Sequence, residues 1–426
     1  MIDLRVRPAS RRCPAGRLDL DVPYAVVIGL DCITGLQTAR LLAERDVPVV
    51  AVAGDGDHFA CLSCAPEAVA VGDAKGPGLV DVLEQLAQRL RHRPVLVPCT
   101  DEAVRQLALH RERLDAVAHV VQPDPAVVEL LMDKVAFARH ADAHGLPVPT
   151  TRVVVDRSSL DAAAAELVFP CVAKPAGKSP QWDAAAGAKV VRVEDAAALR
   201  ELYDRVADVA PAVVVQEWVE GPDSALLSVN GYFRHGEPVA TFVARKLRQW
   251  PPRSGTSCLG EEVRDDEVLE ATVALFRSVG FHGLGYVEVK RDVRTGRALI
   301  IEPNVGRPTG RSAIAEAGGV DLLLAMYRDA LGLPLPAGLT QTYRGVKWVH
   351  IARDLPSAWF YWRQGELTVG QWRRSLAGPK TDAVWSRQDP RPFLAQVGRD
   401  VRVGASGARH RVTARRRAAE RPLLPR

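Results

Sequence analysis

The sequence has 426 residues, 47% hydrophobic and 25% charged, an ordinary globular composition and enough chain for about three domains. Its net charge of +5 is uneven: Arg399–Arg426 holds nine Arg against Asp400 and Glu420, Met1–Val22 holds five Arg against three Asp, and the body between them is acidic, at −4. A nucleic-acid binder is expected to carry its basic face within a folded domain, so nucleic acid is not an expected partner.

The head (1–22) and the tail (399–426) are expected to be solvated and disordered. The alternative for Arg415-Arg416-Arg417 is contact with nucleic acid or an anionic membrane. No apolar run reaches the length of a membrane span, and no apolar stretch follows the arginines of the head as in a secretory signal. A cytoplasmic protein without a membrane partner is expected. The seven cysteines, several in apolar runs, suit reduced thiols. Cys61 and Cys64 form a CxxC with no second pair at zinc-ribbon spacing, so two structural thiols are expected.

Along the chain, Tyr24-Ala-Val-Val-Ile-Gly29 reads as a strand, Leu36–Leu42 as a helix and Val47–Ala53 as a second strand. This β-α-β unit predicts a Rossmann-like parallel α/β domain over 23–131. Further strands are expected at Val95–Pro98 and Ala118–Val121, with amphipathic helices at Leu79–Leu90 and Glu102–His110. The first turn, Gly29–Gly35, lacks GxGxxG and is not read as a dinucleotide site.

From Met132 the pattern mixes both element types. A helix Asp133–His144 stops at Gly145 and Pro147. Strands follow at Thr151–Val155, Cys171–Pro175, Lys189–Val193 and Ala212–Gln216, with helices at Ser159–Leu167 and Asp195–Val206. Residues 176–188 are expected to be a loop.

The next half begins at Gly221-Pro-Asp-Ser. It holds strands Ala225–Tyr232 and Pro238–Lys246, a polar loop Gln249–Gly260, and a helix Asp265–Val279. Strands Tyr286–Arg291 and Arg297–Ile301 pair across the turn at Gly296, and a helix Gly319–Leu331 follows. Residues 336–398 carry five Trp (348, 359, 362, 372 and 385) and are expected to form a small capping subdomain with an aromatic core. The alternative is a lid that shapes a substrate site.

The strongest chemical signal is Gly285-Tyr-Val-Glu288-Val-Lys followed by Leu299-Ile-Ile-Glu302-Pro-Asn304. If these strands pair, Glu288 and Glu302 share a face, and Asn304 joins them by strand periodicity. Two carboxylates and an amide oxygen suit one or two Mg²⁺ shared with phosphates. After them, Arg307 and Arg311 sit in the Gly-containing loop Gly306–Ser312, where guanidinium forks suit a carboxylate or an acyl phosphate.

The segment from Met132 to about Leu331 resembles the ATP-grasp fold. Met-Asp-Lys134 with Gly-Leu-Pro-Val-Pro149 is similar to that family's entry helix, and Phe169-Pro-Cys-Val-Ala-Lys174 to its nucleotide-binding lysine strand. Val215–Asp223 resembles the hinge between its lobes, and Glu288, Glu302 and Asn304 its metal ligands.

The resemblance implies an ATP-grasp domain over 132–335, with lobes at about 132–218 and 219–335. Lys134 and Lys174 would neutralise ATP phosphates. The backbone of Gln216, Glu217, Trp218 and Val219 would bond adenine, and Asp223 would bond the ribose. Lys246 would reach the outer phosphates and act in catalysis beside Arg307 and Arg311. The family's Gly-rich flap is represented by a Gly-poor stretch whose Lys178 and Ser179 would cover phosphates; the alternative for Trp182 is to face a substrate.

The cofactors implied are ATP and Mg²⁺, with Mn²⁺ as a substitute. The function implied is an ATP-dependent carboxylate–amine ligase working through an acyl phosphate, similar in layout to the D-aspartate ligase type. A carboxylase using carboxyphosphate, a kinase, and a nucleotide-binding protein without turnover are the alternatives. The partners implied are a small-molecule carboxylate and an amine, one of them an amino acid or small peptide. A homodimer is compatible with the resemblance.

Overall fold

The structure, a computed structural model, describes residues 3–6, 21–176, 180–188, 190–253 and 255–399. The first unit is a six-stranded sheet of β1 (Asp3–Val6), β2 (Ala25–Ile28), β3 (Val49–Ala53), β4 (Ala68–Val71), β5 (Val95–Pro98) and β6 (His119–Val120), in the order β1-β4-β3-β2-β5-β6. β2 to β6 run parallel. Strands covered by helices on both faces read as unbroken apolar runs, and Val-Val-Ala-Val-Ala in β3 is buried throughout. One expectation changes here. Asp3–Val6, placed in a disordered head, pairs antiparallel with β4 as an edge strand.

The second unit is a four-stranded antiparallel sheet of β7 (Thr151–Val154), β8 (Cys171–Pro175), β9 (Val191–Val193) and β10 (Val213–Glu217), in the order β7-β10-β8-β9. Helices Arg157–Glu166 and Ala196–Val206 start at Asp156 and Asp195, whose carboxylates accept the Ser159 and Ala198 amides. Such caps satisfy first-turn donors that have no partner within the helix. The expected loop 176–188 contains a helix, Pro180–Ala186. Trp182 explains it: the indole is fully buried in this lobe's core and its Nε1 donates to the Ala188 carbonyl at 2.8 Å. It anchors the segment and does not face a substrate. Lys178 and Ser179 lie outside the described residues.

The third unit is a seven-stranded sheet of β11 (Leu226–Arg234), β12 (Glu237–Trp250), β13 (Thr256–Glu262), β14 (Gly283–Arg291), β15 (Ala298–Val305), β16 (Lys347–Val349) and β17 (Lys380–Asp382), in the order β15-β14-β11-β12-β13-β16-β17. The polar stretch 249–260, expected to be a loop, is largely strand: β12 runs to Trp250 and β13 starts at Thr256.

The Trp-rich region is not a subdomain with its own aromatic core. β16 and β17 extend this sheet, Trp348 is buried within it, and Trp359, Trp362 and Trp385 are exposed. The segment is held by the other two indoles, with Trp348 Nε1 donating to Gln37 Oε1 at 3.0 Å and Trp372 Nε1 to Asp354 Oδ2 at 2.9 Å.

The cores define the mechanical units. One apolar cluster runs from the first sheet (Val27, Val97) into the third (Phe242, Trp348) through Ile314 of helix Ala313–Ala317. The four-stranded lobe has a separate core. Helix Lys134–Ala143 was expected with that lobe, but its Phe137 and Ala141 pack into the third unit's core beside Val229 and Phe276.

Candidate active site

β14 and β15 pair antiparallel, with Glu288 directly opposite Glu302 and Tyr286 opposite Asn304. Facing residues of neighbouring strands put their side chains on the same face, about 5 Å apart. The two carboxylates therefore converge. Burial pushes the Glu302 carboxyl upward, and the like charge of Glu288 adds to this, while Lys174 and Lys134 oppose it. Among the described residues, no group of three or more His, Cys, Asp or Glu forms a metal cage. Two carboxylates and an amide match the sparse protein set of a Mg²⁺ that takes its other oxygens from phosphate and water.

Three lysines surround this pair from different elements. Lys174, on β8, places Nζ 3.3 Å from Gln216 Oε1; burial and the neighbouring Lys134 push its ammonium down. Lys134 begins its helix just after the Asp133 cap and reaches to 3.5 Å from the Pro175 carbonyl. Lys246, on β12, is buried, with Nζ 3.3 Å from Glu288 Oε2 and 3.3 Å from Gln249 Oε1. Burial is also the main cause that lowers its pKa. Lys174 and Lys246, both lowered by burial, suit an incoming polyanion that restores the charge balance of the site.

The two loop arginines separate in role. Arg307 is fully engaged: Nε donates to Asp101 Oδ1 at 2.6 Å, Nη2 to Asn304 Oδ1 at 2.9 Å and Nη1 to the Pro308 carbonyl at 3.1 Å. Expected to grip substrate, it instead clamps the first unit to the carboxylate strands, because Asp101 starts a helix that comes within its reach. Arg311 is buried and held by hydroxyls. Nη2 donates to Ser228 Oγ and the Tyr286 hydroxyl at 2.8 Å each, Nη1 to Ser257 Oγ at 3.1 Å, and Nε has no partner. Among the described residues it makes no ion pair. A buried guanidinium neutralised by no carboxylate is arranged for an incoming anion.

At the hinge, Gln216 links Lys174 to Thr151, its Nε2 donating to Thr151 Oγ1 at 3.0 Å. Glu217 lies 3.6 Å from Arg294, and Val219 is buried. Trp218 is the poorest hinge candidate for a ligand bond. Its N–H donates to Pro170, its carbonyl accepts from Arg294, and Arg192 and Lys290 stack against its ring at 5.0 and 4.9 Å. Asp223 accepts from Gln249 Nε2 at 2.7 Å and from the Tyr361 hydroxyl at 2.6 Å.

No protein-family profile matches the chain. Solved structures do. It superposes on N5-carboxyaminoimidazole synthetase from Staphylococcus aureus with a TM-score of 0.57 at 15% identity, over 75% of this chain and 81% of that one. Biotin carboxylase from Campylobacter jejuni, solved as a β,γ-ATP complex, gives 0.58 at 14% identity, over 76% of this chain and 74% of that one. The fold is the ATP-grasp fold.

Curated sequences agree. D-alanine–D-alanine ligase of Pseudomonas entomophila (strain L48) is 26% identical over 219 residues, covering 47% of this chain and 65% of the ligase. D-aspartate ligase of Enterococcus faecium (strain Aus0004) is 23% identical over 258 residues, covering 57% of this chain and 60% of that protein. The chain thus spans just under two thirds of the length of these relatives.

Several residues of this candidate site have no counterpart among the sequence expectations. Ser228 and Asn230 interrupt an apolar strand at alternate positions, and Tyr286 precedes Glu288 by two; that period of two was a readable signal. Asp101, Gln122 and Tyr361 had none, since they arrive from distant elements. Asn230 Nδ2 and both amide atoms of Gln122 are buried without protein partners.

Proposed function

We propose that this protein is an ATP-dependent carboxylate–amine ligase. The observation that carries the reading is one cluster drawn from two units: Glu288 facing Glu302, Lys134, Lys174 and Lys246 around them, and the unpaired Arg311 at their side. The lysines receive the ATP phosphates, and Asp223 with the hinge backbone receives the nucleoside. Glu288, Glu302 and Asn304 would hold Mg²⁺, which would offset charge on the phosphates.

Arg311 orients a carboxylate toward the terminal phosphate, and its charge stabilises the oxygens that become negative during transfer. The carboxylate oxygen bonds to the γ-phosphorus as the bond to ADP breaks. An amine then displaces phosphate from the acyl carbon and loses a proton. Positioning and charge do the work, so no side-chain nucleophile is needed. The sequence relatives favour amide formation over carboxylation, since both act on amino acids by name. An amino acid or small peptide is therefore the partner of choice for the carboxylate or the amine.

The test is phosphate release from Mg·ATP against pooled amino acids and small carboxylates, with mass spectrometry of products. Release that needs both a carboxylate and an amine, with a product lighter than their sum by one water, supports the ligase. Release that needs bicarbonate overturns it in favour of a carboxylase. ATP binding without release in any pool points to a nucleotide-binding protein without turnover.

A further inference from the structure

Helix Ile351–Arg363 has its polarity reversed. Its buried side is polar. Asp354 accepts Arg248 Nε at 2.8 Å and Trp372 Nε1 at 2.9 Å, Ser357 Oγ donates to the Gln249 carbonyl at 2.8 Å, and Tyr361 reaches Asp223. Asp354 and Ser357 are 0% exposed. The solvent side is apolar. Leu355 is 50% exposed, Trp359 56% and Trp362 54%, and Ala352 is exposed on the same stripe. Steps of three and four residues put all of these on one helix face. Val369, 53% exposed, opens the following helix. A surface helix ordinarily turns its apolar stripe inward, so this stripe needs its own explanation.

The charge around it narrows the occupant. The Arg363 guanidinium lies 5.1 Å from the Trp359 ring centre, and Arg363, Arg373 and Arg374 are exposed. Within the described residues 343–399 there are ten Lys and Arg against four Asp and Glu, a net of +6, whereas residues 1–342 carry a net of −7. A second copy meeting stripe to stripe across a two-fold axis would set these arginines against themselves. Single-stranded nucleic acid matches the charge and stacks on indoles, but it leaves Leu355 and Val369 uncovered. An anionic lipid surface satisfies all three features. Indoles rest at the headgroup level, aliphatic side chains enter the acyl boundary, and arginines reach lipid phosphates.

We propose that the outer face of helix Ile351–Arg363, with Val369, Arg373 and Arg374, docks the protein on an anionic membrane surface. The contact is peripheral, since no helix among the described residues is long and apolar enough to cross a bilayer. It departs from the sequence-based expectation of no membrane partner.

The experiment is co-sedimentation of the full chain with phosphatidylcholine vesicles, with and without phosphatidylglycerol, over a salt series. Brominated lipids read tryptophan contact by quenching. Binding is expected only to the phosphatidylglycerol vesicles, with quenching, and weakening as salt rises. Trp359→Ser with Trp362→Ser should weaken it about tenfold or more at an unchanged unfolding temperature, and Leu355→Asp should act in the same direction. Four outcomes overturn the proposal: no vesicle binding by the wild type; equal binding by the double variant, which assigns it to the arginine-rich tail; a dimer that the double variant dissociates; or binding of single-stranded RNA in place of vesicles.

Discussion

The Tyr361 hydroxyl donates to Asp223 Oδ2 at 2.6 Å while Gln249 Nε2 holds Oδ1 at 2.7 Å. Gln249 Oε1 in turn accepts from Lys246, which lies 3.3 Å from Glu288. Helix Ile351–Arg363 is thereby connected to Glu288 through one continuous polar chain. If Asp223 bonds the ribose, Tyr361→Phe should raise the KM for ATP about three- to tenfold, the worth of one ordinary hydrogen bond. It should leave 2′,3′-dideoxy-ATP, which lacks those hydroxyls, nearly unaffected. Steady-state kinetics with both nucleotides checks this. Asp223→Ala should remove the difference between them.

Glu302→Gln should abolish turnover, by at least about a hundredfold, with the fold intact. The carboxylate faces Glu288 across the paired strands, and both Lys174 and Lys134 act on it. Removing its charge relieves repulsion in the empty site and would weaken the hold on a divalent cation in the loaded one. The check is turnover beside thermal unfolding. Unfolded protein would make Glu302 structural.

Arg311→Lys should lower kcat about ten- to a hundredfold. A lysine keeps the charge, but its single ammonium cannot span Ser228, Tyr286 and Ser257 and still present a donor to substrate. Measuring kcat and KM for each substrate separately shows whether the loss lies in transfer or in binding.

Glu316 predicts a pH effect on stability away from the site. It is buried, one carboxylate oxygen has no partner, and burial pushes its pKa up to about 7. The folded chain thus holds a proton that the unfolded chain has released above about pH 4.3. Stability from this group is complete below that value, falls as pH rises, and is lost above about pH 7. Glu316→Gln should therefore unfold at a higher temperature than the wild type at pH 8 and at nearly the same temperature at pH 5. Scanning calorimetry at both values decides it.

Local pattern alone determined much of this protein. The parallel first domain follows from apolar runs alternating with amphipathic helices. The Glu288–Glu302 face follows from the period of two in paired strands, and Asp133, Asp156 and Asp195 mark helix starts because short acceptors satisfy first-turn amides. Misreadings arose where a polar stretch was taken as loop: 249–260 forms strands because the third sheet pairs it on both sides, with β12 and β13 bonded and β16 beyond.

Only tertiary structure decided which charge meets which. Arg307 and Asp101 are 206 residues apart, and Tyr361 and Asp223 are 138 apart. Sequence carries no period over such distances, so one arginine of a loop becomes a clamp and its neighbour remains an unpaired buried cation. The same holds for Trp182 and Trp359, alike in composition and opposite in burial. An indole's fate depends on what packs above it, and that is settled by the chain's three-dimensional path.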